Sequence, residues 1–364
     1  MFGDKRNTFS FRCMALAVLF FSGLSSIAEG KAISYKDPKS DPDIHVDIYV
    51  PSKAYFGTTL LFDNHKPTRP RIIELDMHGR IVWEYVLPWY MKNNTNPGPD
   101  VEWLPNNHIL AMLPRKGVYE INRNGDIVWS YKDRKISHDA DRLPNGNTLM
   151  VFGAKDQKND AQVKEINKQG DIVWSWHAKD HFSKSPYKNI SWEGWTHTNA
   201  ASRLPNGNTL ISPRNFNRVV EVNPYGAVVR IIGEGIFYSQ HDPEVLPNGN
   251  ILIANQFIPL RALGGYPNAN SILKDQRRWM QAIELNPNTG RTVWQSQMFY
   301  RSDWPVRDAD RLPNGNTLIT TSTRIVEVTT EGEMVWELKL EGIKHHPIER
   351  IKYGFYKAER IAPH

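Results

Sequence analysis

Three histidines stand at related places in the chain: His138 five residues before Leu143, His241 five before Leu246, and His197 seven before Leu204. Imidazole near its ordinary pKa can attack as a nucleophile, carry a proton or ligate a metal. Arg214, in Pro213-Arg214-Asn215, follows the strand-like run Thr209–Ser212 where other parts of the chain carry Phe152-Gly153, Ala254-Asn255 or Thr320-Thr321. A guanidinium offers forked donors suited to an anion with several oxygens. Asn199, two residues past His197, adds a neutral donor. Together these groups make a site for an anion with several oxygens. Three imidazoles alone would equally suit a Zn or Mn site. A lone histidine is usually a packing or surface residue; three at one register of successive repeats call for a shared site.

The repeat that sets this register is plain. Leu-Pro-Asn-Gly-Asn occurs at Leu143–Asn147, Leu204–Asn208, Leu246–Asn250 and Leu312–Asn316, with a degenerate copy at Leu104–His108. A second anchor, Gly-x-x-Val-Trp, ends at Trp83, Trp129, Trp174, Trp294 and Trp336, with Gly226–Arg230 as a weaker sixth. Pro fixes φ while Asn and Gly accept positive φ, so the first phrase is a tight turn. Short β-branched runs such as Val219–Val222 follow it. Six units of 42–64 residues, each a small antiparallel sheet, predict an all-β fold: a six-bladed β-propeller of four-stranded antiparallel blades. Equivalent positions in successive blades then lie on a ring about one axis, which brings the histidines together. The recurrent tryptophans read as packing between blades.

Composition narrows the remaining possibilities. With 24 Gly, 24 Pro and 40% apolar residues in 364, the chain can bury a large core of hairpins and turns. Lys5, Arg6 and Arg12 before the apolar run Met14–Leu24, with Ser26-Ile27-Ala28 after it, form the layout of a secretory signal over residues 1–28. The expected order is then an N-terminal extension over 29–54, the propeller over 55–342, and a segment 343–364 that could supply a blade-closing strand. Cys13, the single cysteine, falls inside the signal, which excludes thiol catalysis in the mature protein. Basic residues are scattered, so a net charge of +6 implies no nucleic-acid partner. Cleavage of the signal would leave no stable membrane span and a periplasmic or secreted protein. Insertions at His177–Trp195 and Phe257–Met280, rich in aromatic residues, are candidates either for binding walls or for loops that pack on themselves.

Trp195-Thr-His-Thr-Asn199, Pro213-Arg-Asn215 and Gln240-His-Asp242, on blades ending in Gly-x-Ile-Val-Trp, resemble the bacterial arylsulfotransferase family over roughly residues 55–340. That resemblance implies a nucleotide-independent enzyme, without a cofactor, that moves a sulfuryl group from a small aryl sulfate to a phenolic acceptor by a ping-pong route. It implies His241 as the nucleophile that becomes a sulfohistidine and His138 as an aid to proton transfer. His197, Asn199 and Arg214 would bind the sulfuryl oxygens. The chain departs from longer members in lacking room for an extra N-terminal β-domain, and in lacking a cysteine pair that some carry. Two other classes compete: a metal-dependent propeller lyase or hydrolase acting on an anionic glycan, and a non-catalytic secreted propeller that binds a glycan or protein.

Overall fold

The computed structural model describes residues 30–92, 98–191, 193–256, 280–299, 305–343 and 353–363. The signal region, Trp192 and the stretch Phe257–Trp279 that carries Tyr266, Arg277, Arg278 and Trp279 lie outside the described residues. Six antiparallel sheets follow one another along the chain as the blades of a propeller. Blades two to five are four-stranded, each a simple meander from the axis outward. Their innermost strands are Asp100–Trp103, Ala140–Arg142, Thr198–Arg203 and His241–Val245, and that of blade six is Val306–Arg311.

Blades one and six show how the ring is closed. The C-terminal strand Ala358–Ile361 pairs with Thr58–Leu61 and becomes the innermost strand of blade one. At the outer edge the N-terminal segment adds a fifth strand to both neighbours. Lys31–Lys39 lies on the outer strand of blade one, and Ile44–Tyr49 on that of blade six. Both chain ends therefore straddle the same junction, one at the axis and one at the rim. A propeller has no covalent link between its first and last blades other than such strands, so pairing here protects sheet edges that would otherwise stay open.

The repeat residues explain why adjacent blades stay together. In Leu143–Asn147 the Gly146 N–H donates to the Leu143 carbonyl at 2.8 Å with φ of 83°, a conformation that glycine adopts without strain. The final Asn of each phrase then reaches sideways. Asn147, Asn208, Asn250 and Asn316 donate to Glu165, Glu221, Glu284 and Glu327 at 2.6–2.7 Å. Those glutamates are the Glu of the recurrent Glu-Ile/Val/Leu pair. The other carboxylate oxygen takes an arginine from the next blade, as in Arg203 to Glu165 at 2.6 Å and Arg311 to Glu284 at 2.9 Å. Each arginine lies over the blade-end tryptophan, for example Arg203 over Trp174 and Arg360 over Trp336, 5.1 and 4.5 Å from the ring centre. The indole N–H of Trp83, Trp129, Trp174, Trp294 and Trp336 donates to a turn carbonyl of the following blade at 2.9–3.0 Å.

The apolar core is correspondingly divided. Six clusters of buried side chains each combine residues from two adjacent blades, such as Phe62 and Trp83 with Val101 and Ile109. Trp83 and Trp336 are completely buried there. Truncating one to alanine should cost about 3–5 kcal/mol. No helix among the described residues is long and apolar enough to cross a membrane.

Candidate active site

The inner strands begin where the blades approach the axis, and the candidate residues sit at those beginnings. His138 lies two residues before Ala140–Arg142, His197 immediately before Thr198–Arg203, and His241 is the first residue of its strand. All three are buried, as are Arg214 and Asn199. His138 and His197 hold left-handed backbone at φ of 74° and 46°. Such conformations cost about 1–3 kcal/mol and are kept where surrounding contacts enforce them. Here the enforcement is visible. The His138 N–H donates to the Gly98 carbonyl at 3.2 Å. Asp156 accepts from the N–H groups of both Thr196 and His197 at 3.1 Å and from the Thr196 hydroxyl at 2.8 Å. Gly98 and Gly153 are needed for close approach: a Cβ would lie 2.3 Å from His138 Nδ1 at the first, and 1.9 Å from the Thr198 carbonyl oxygen at the second.

The imidazoles of His138 and His197 face each other with ring centres 4.9 Å apart. Tyr356 joins them from the C-terminal segment. Its hydroxyl is 2.8 Å from His138 Nδ1, and its ring centre is 6.4 Å from that of His241. Arg307, from the start of the blade-six inner strand, lays its guanidinium 4.6 Å from the centre of the Tyr356 ring. Arg214, on the turn after Thr209–Pro213, is aimed by Asn215, whose side-chain oxygen accepts from Nε and Nη2 at 3.2 and 3.1 Å. Its Nη2 also donates to Glu193 at 3.2 Å. The structure thus gathers His138, His197, His241 and Arg214, and adds Arg307 and Tyr356, which sequence reasoning did not single out. Arg307 holds the same register as the histidines, five residues before Leu312. That signal was readable; nothing in the repeat pointed to Tyr356.

Backbone carbonyls set the tautomers of two histidines. His241 Nδ1 is 3.0 Å from the Ser239 carbonyl and His197 Nδ1 is 2.9 Å from the Glu193 carbonyl. A carbonyl only accepts, so Nδ1 carries the proton in each and Nε2 keeps its lone pair. Gln256 Nε2 lies 3.1 Å from the same His241 nitrogen and donates to the Val306 carbonyl at 2.6 Å. Asn199 donates to the Gln240 carbonyl at 2.8 Å, and its own side-chain oxygen is buried without a hydrogen-bond partner. It therefore supports the peptide preceding His241. The motif residues interlock in this way: Gln240 in turn donates to the Ser212 hydroxyl at 3.2 Å and the Arg218 carbonyl at 2.7 Å.

Electrostatics at this end of the axis favour an anion. Burial, then the nearby Arg214 and Arg307, push the His138 pKa down to about 3. His197 and His241 are also driven well below 6.5, by burial first and Arg214 second. Burial lowers Arg307 to about 10. The imidazoles are accordingly neutral at pH 7, set among buried guanidinium groups. His138 Nε2 is buried with no hydrogen-bond partner. Among the described residues, the side chains whose ligand atoms converge within 4.8 Å are Asp41, Asp43 and His65, and Asp242, Asp308 and Asp310; the three histidines do not form such a group.

The insertion between His177 and Trp195 packs on itself in its described part. Phe182, Tyr187 and Trp195 close around Phe216, with ring centres 4.7–5.5 Å from it. The Trp195 indole donates to the Tyr187 carbonyl at 2.9 Å. These aromatics buttress the Arg214 turn from behind instead of forming a wall at the site.

The family model for Arylsulfotransferase (ASST) matches residues 45–248. The chain belongs to the arylsulfotransferase family. The matched stretch contains His138, His197, Asn199, Arg214 and His241, whereas Arg307 and Tyr356 lie beyond it. As a member, the chain is an arylsulfotransferase-like transferase, with small aryl compounds as fitting substrates. No curated protein matches. Among solved structures, a protein of unknown function from Bacteroides caccae is similar in fold, with a TM-score of 0.51 at 18% identity over 78% of this chain and 94% of its own. A gluconolactonase from Xanthomonas campestris gives 0.47 at 8% identity, over 86% of this chain and 89% of its own. Virginiamycin B lyase from Staphylococcus aureus gives 0.40 at 13% identity, over 67% and 71%.

Proposed function

We propose that this arylsulfotransferase moves a sulfuryl group from an aryl sulfate to a phenolic acceptor in two displacements, through a sulfohistidine on His241. The observation that carries the reading is the Nδ1 contact of His241 with the Ser239 carbonyl, which leaves Nε2 as a free nucleophile beside buried guanidinium groups. In the first displacement the Nε2 lone pair attacks sulfur, the S–O bond to the aryl group breaks, and the aryl oxygen leaves with the bond electrons. Nε2 becomes bonded to SO3, and the positive charge on the ring is eased by the Nδ1–H bond to Ser239. In the second, the acceptor phenol gives its proton to His138 Nε2 while its oxygen attacks sulfur, and the N–S bond returns its electrons to His241. His138 passes that proton to the departed aryl oxide or to water.

Arg214 serves the sulfuryl oxygens and Arg307 joins it from blade six; His197, whose Nε2 keeps its lone pair, donates to a sulfuryl oxygen once it has taken up a proton. Donors already aimed at the place where charge moves stabilise the transition state without reorganising. Asn199 holds the Gln240 peptide and keeps a second amide N–H for an oxygen of the group. The basic, apolar and small-residue order of residues 1–28 supports export to the periplasm or beyond.

The test mixes the protein with a chromogenic aryl sulfate, with and without a phenol, and repeats this with His241→Ala. Phenol-dependent release of chromophore, and an intact mass raised by one SO3 in wild type alone, are expected. Equal behaviour of the two proteins, with no adduct, refutes the reading.

A further inference from the structure

The cationic end of the axis holds a carboxylate that the transfer reaction does not use. Toward the acidic end, Lys357 pairs with Asp139 and Asp242 at 2.5 and 2.9 Å. Glu193 instead rests on Arg214, with Oε2 3.2 Å from Nη2. The Arg214 side chain is 8% exposed and that of Glu193 54%, so the carboxylate meets the guanidinium from the solvent side.

The main chain is built to hold it there. Glu193 has left-handed backbone at φ of 53°, a conformation that favours glycine, and Gly194 follows at 123°. The Glu193 carbonyl accepts from the Lys155 N–H at 2.8 Å and from His197 Nδ1 at 2.9 Å. Asn215 ties the next peptide to the same arginine: its amide donates to the Gly194 carbonyl at 3.0 Å, while its side-chain oxygen accepts from Arg214. Gly194 permits this closeness, since a Cβ there would lie 2.5 Å from Asp156 Oδ1. Backbone of this kind persists where its surroundings over-determine it. A part-exposed ion pair returns little stability. An anionic side chain on an arginine that receives an anion also opposes ligand binding, so stability and affinity both leave the carboxylate unexplained.

We propose that Glu193 restricts the transfer site to singly charged esters, admitting aryl sulfates and rejecting aryl phosphates. The inference rests on the sulfate-binding part of the function proposed above and not on the sulfohistidine. Sulfate and phosphate monoesters are both tetrahedral and nearly equal in size, so donors aimed at their oxygens cannot separate them by shape. They differ in charge. An aryl sulfate carries a single negative charge at neutral pH, whereas a phosphate monoester carries about −1.5 to −2, its second pKa being about 6. Repulsion from Glu193 therefore falls more heavily on the phosphate. Its field reaches both site arginines. Burial lowers the Arg214 pKa and Glu193 is the first group to oppose it; at Arg307 burial again lowers, and Glu193 opposes it after Tyr356.

The experiment uses the full chain carrying His241→Ala, which binds an ester without turning it over. It is titrated by calorimetry at pH 7.5 with para-nitrophenyl sulfate and with para-nitrophenyl phosphate, alone and with Glu193→Gln or Glu193→Asp added. With Glu193 intact, the sulfate should bind at least about tenfold more tightly. Glu193→Gln keeps an oxygen for Arg214 but no charge; it should narrow the preference by about tenfold, as loss of a unit charge at ion-pair range in a part-solvated site does. Glu193→Asp keeps the charge and should keep most of the preference, with circular dichroism confirming that each variant folds. An unchanged ratio of the two Kd values in Glu193→Gln would overturn the proposal. So would an equal loss in Glu193→Asp, or binding of neither ester while Glu193 is intact. A wild type that forms no sulfuryl adduct while these ratios shift as expected sinks the transfer step and leaves the charge selection standing.

Discussion

Replacing His138 with glutamine should make the protein less sensitive to acid. In the folded chain His138 is buried and faces Arg214 and Arg307, which hold its pKa down to about 3. In the unfolded chain the same ring titrates near 6.5. The folded state therefore binds fewer protons than the unfolded state between those two values. The sign follows: stability from a neutral His138 is fully present above pH 6.5 and is lost as pH falls toward 3. Linkage across this pair of pKa values gives a loss of about 2 kcal/mol at pH 5 and almost none at pH 7.5. Glutamine keeps a polar side chain of similar reach but does not titrate. Its lost contact with Tyr356 adds an offset that does not depend on pH. Denaturant unfolding of both proteins at pH 7.5 and pH 5 isolates the effect. The wild type should lose about 2 kcal/mol more than the variant across this interval. A few millimolar sulfate, against chloride of equal ionic strength, should raise the wild-type Tm more at pH 5 than at pH 7.5, because a protonated ring pairs with the anion. A stability difference between the two proteins that is the same at both pH values refutes the assignment of His138 as a neutral imidazole in a cationic pocket.

Three further outcomes follow from the geometry. Arg214→Met should lower kcat/KM for aryl sulfate by about 10²–10³, as loss of a preorganised donor does, with the circular dichroism spectrum unchanged. Tyr356→Phe keeps the ring against His138 and Arg307 but removes the hydroxyl bonded to His138 Nδ1; it should cost about 1–3 kcal/mol in denaturant unfolding and slow acceptor sulfation more than chromophore release. Ending the chain after Lys357 removes the innermost strand of blade one, including the buried contact of Arg360 with Glu327 at 3.3 Å. Such a protein should show no cooperative thermal transition; a melt like that of the full chain refutes the closing role of Ala358–Ile361.

The register of the repeat carried much of the site. Because every blade enters the axis at the same point relative to its Leu-Pro-Asn-Gly turn, residues five to seven positions upstream of that turn must converge. His138, His197 and His241 were therefore legible, and Arg307 obeyed the same rule without being chosen. Arg214 was legible from a different signal, a charged residue at a place where other units carry small or apolar ones. The aromatic insertion around Phe182 and Trp195 was open to two readings for a physical reason: exposed and self-packed rings have the same composition. Its fate turned on Phe216, which lies thirty-four residues beyond Phe182 and draws those rings inward.

The six antiparallel units, their turns and the ring of histidines could be read from the residues alone, since these rest on local backbone chemistry and on periodic spacing. So could the family. What closes the ring and what completes the pocket emerged with the folded chain. Tyr356 and Lys357 precede a strand that follows no copy of the turn phrase, and that strand pairs with residues some three hundred positions earlier. Contacts at that separation follow from which edges remain open once the blades have assembled. The same assembly places Tyr356 against His138 and Lys357 among the carboxylates, dividing one axis into a cationic end and an acidic end.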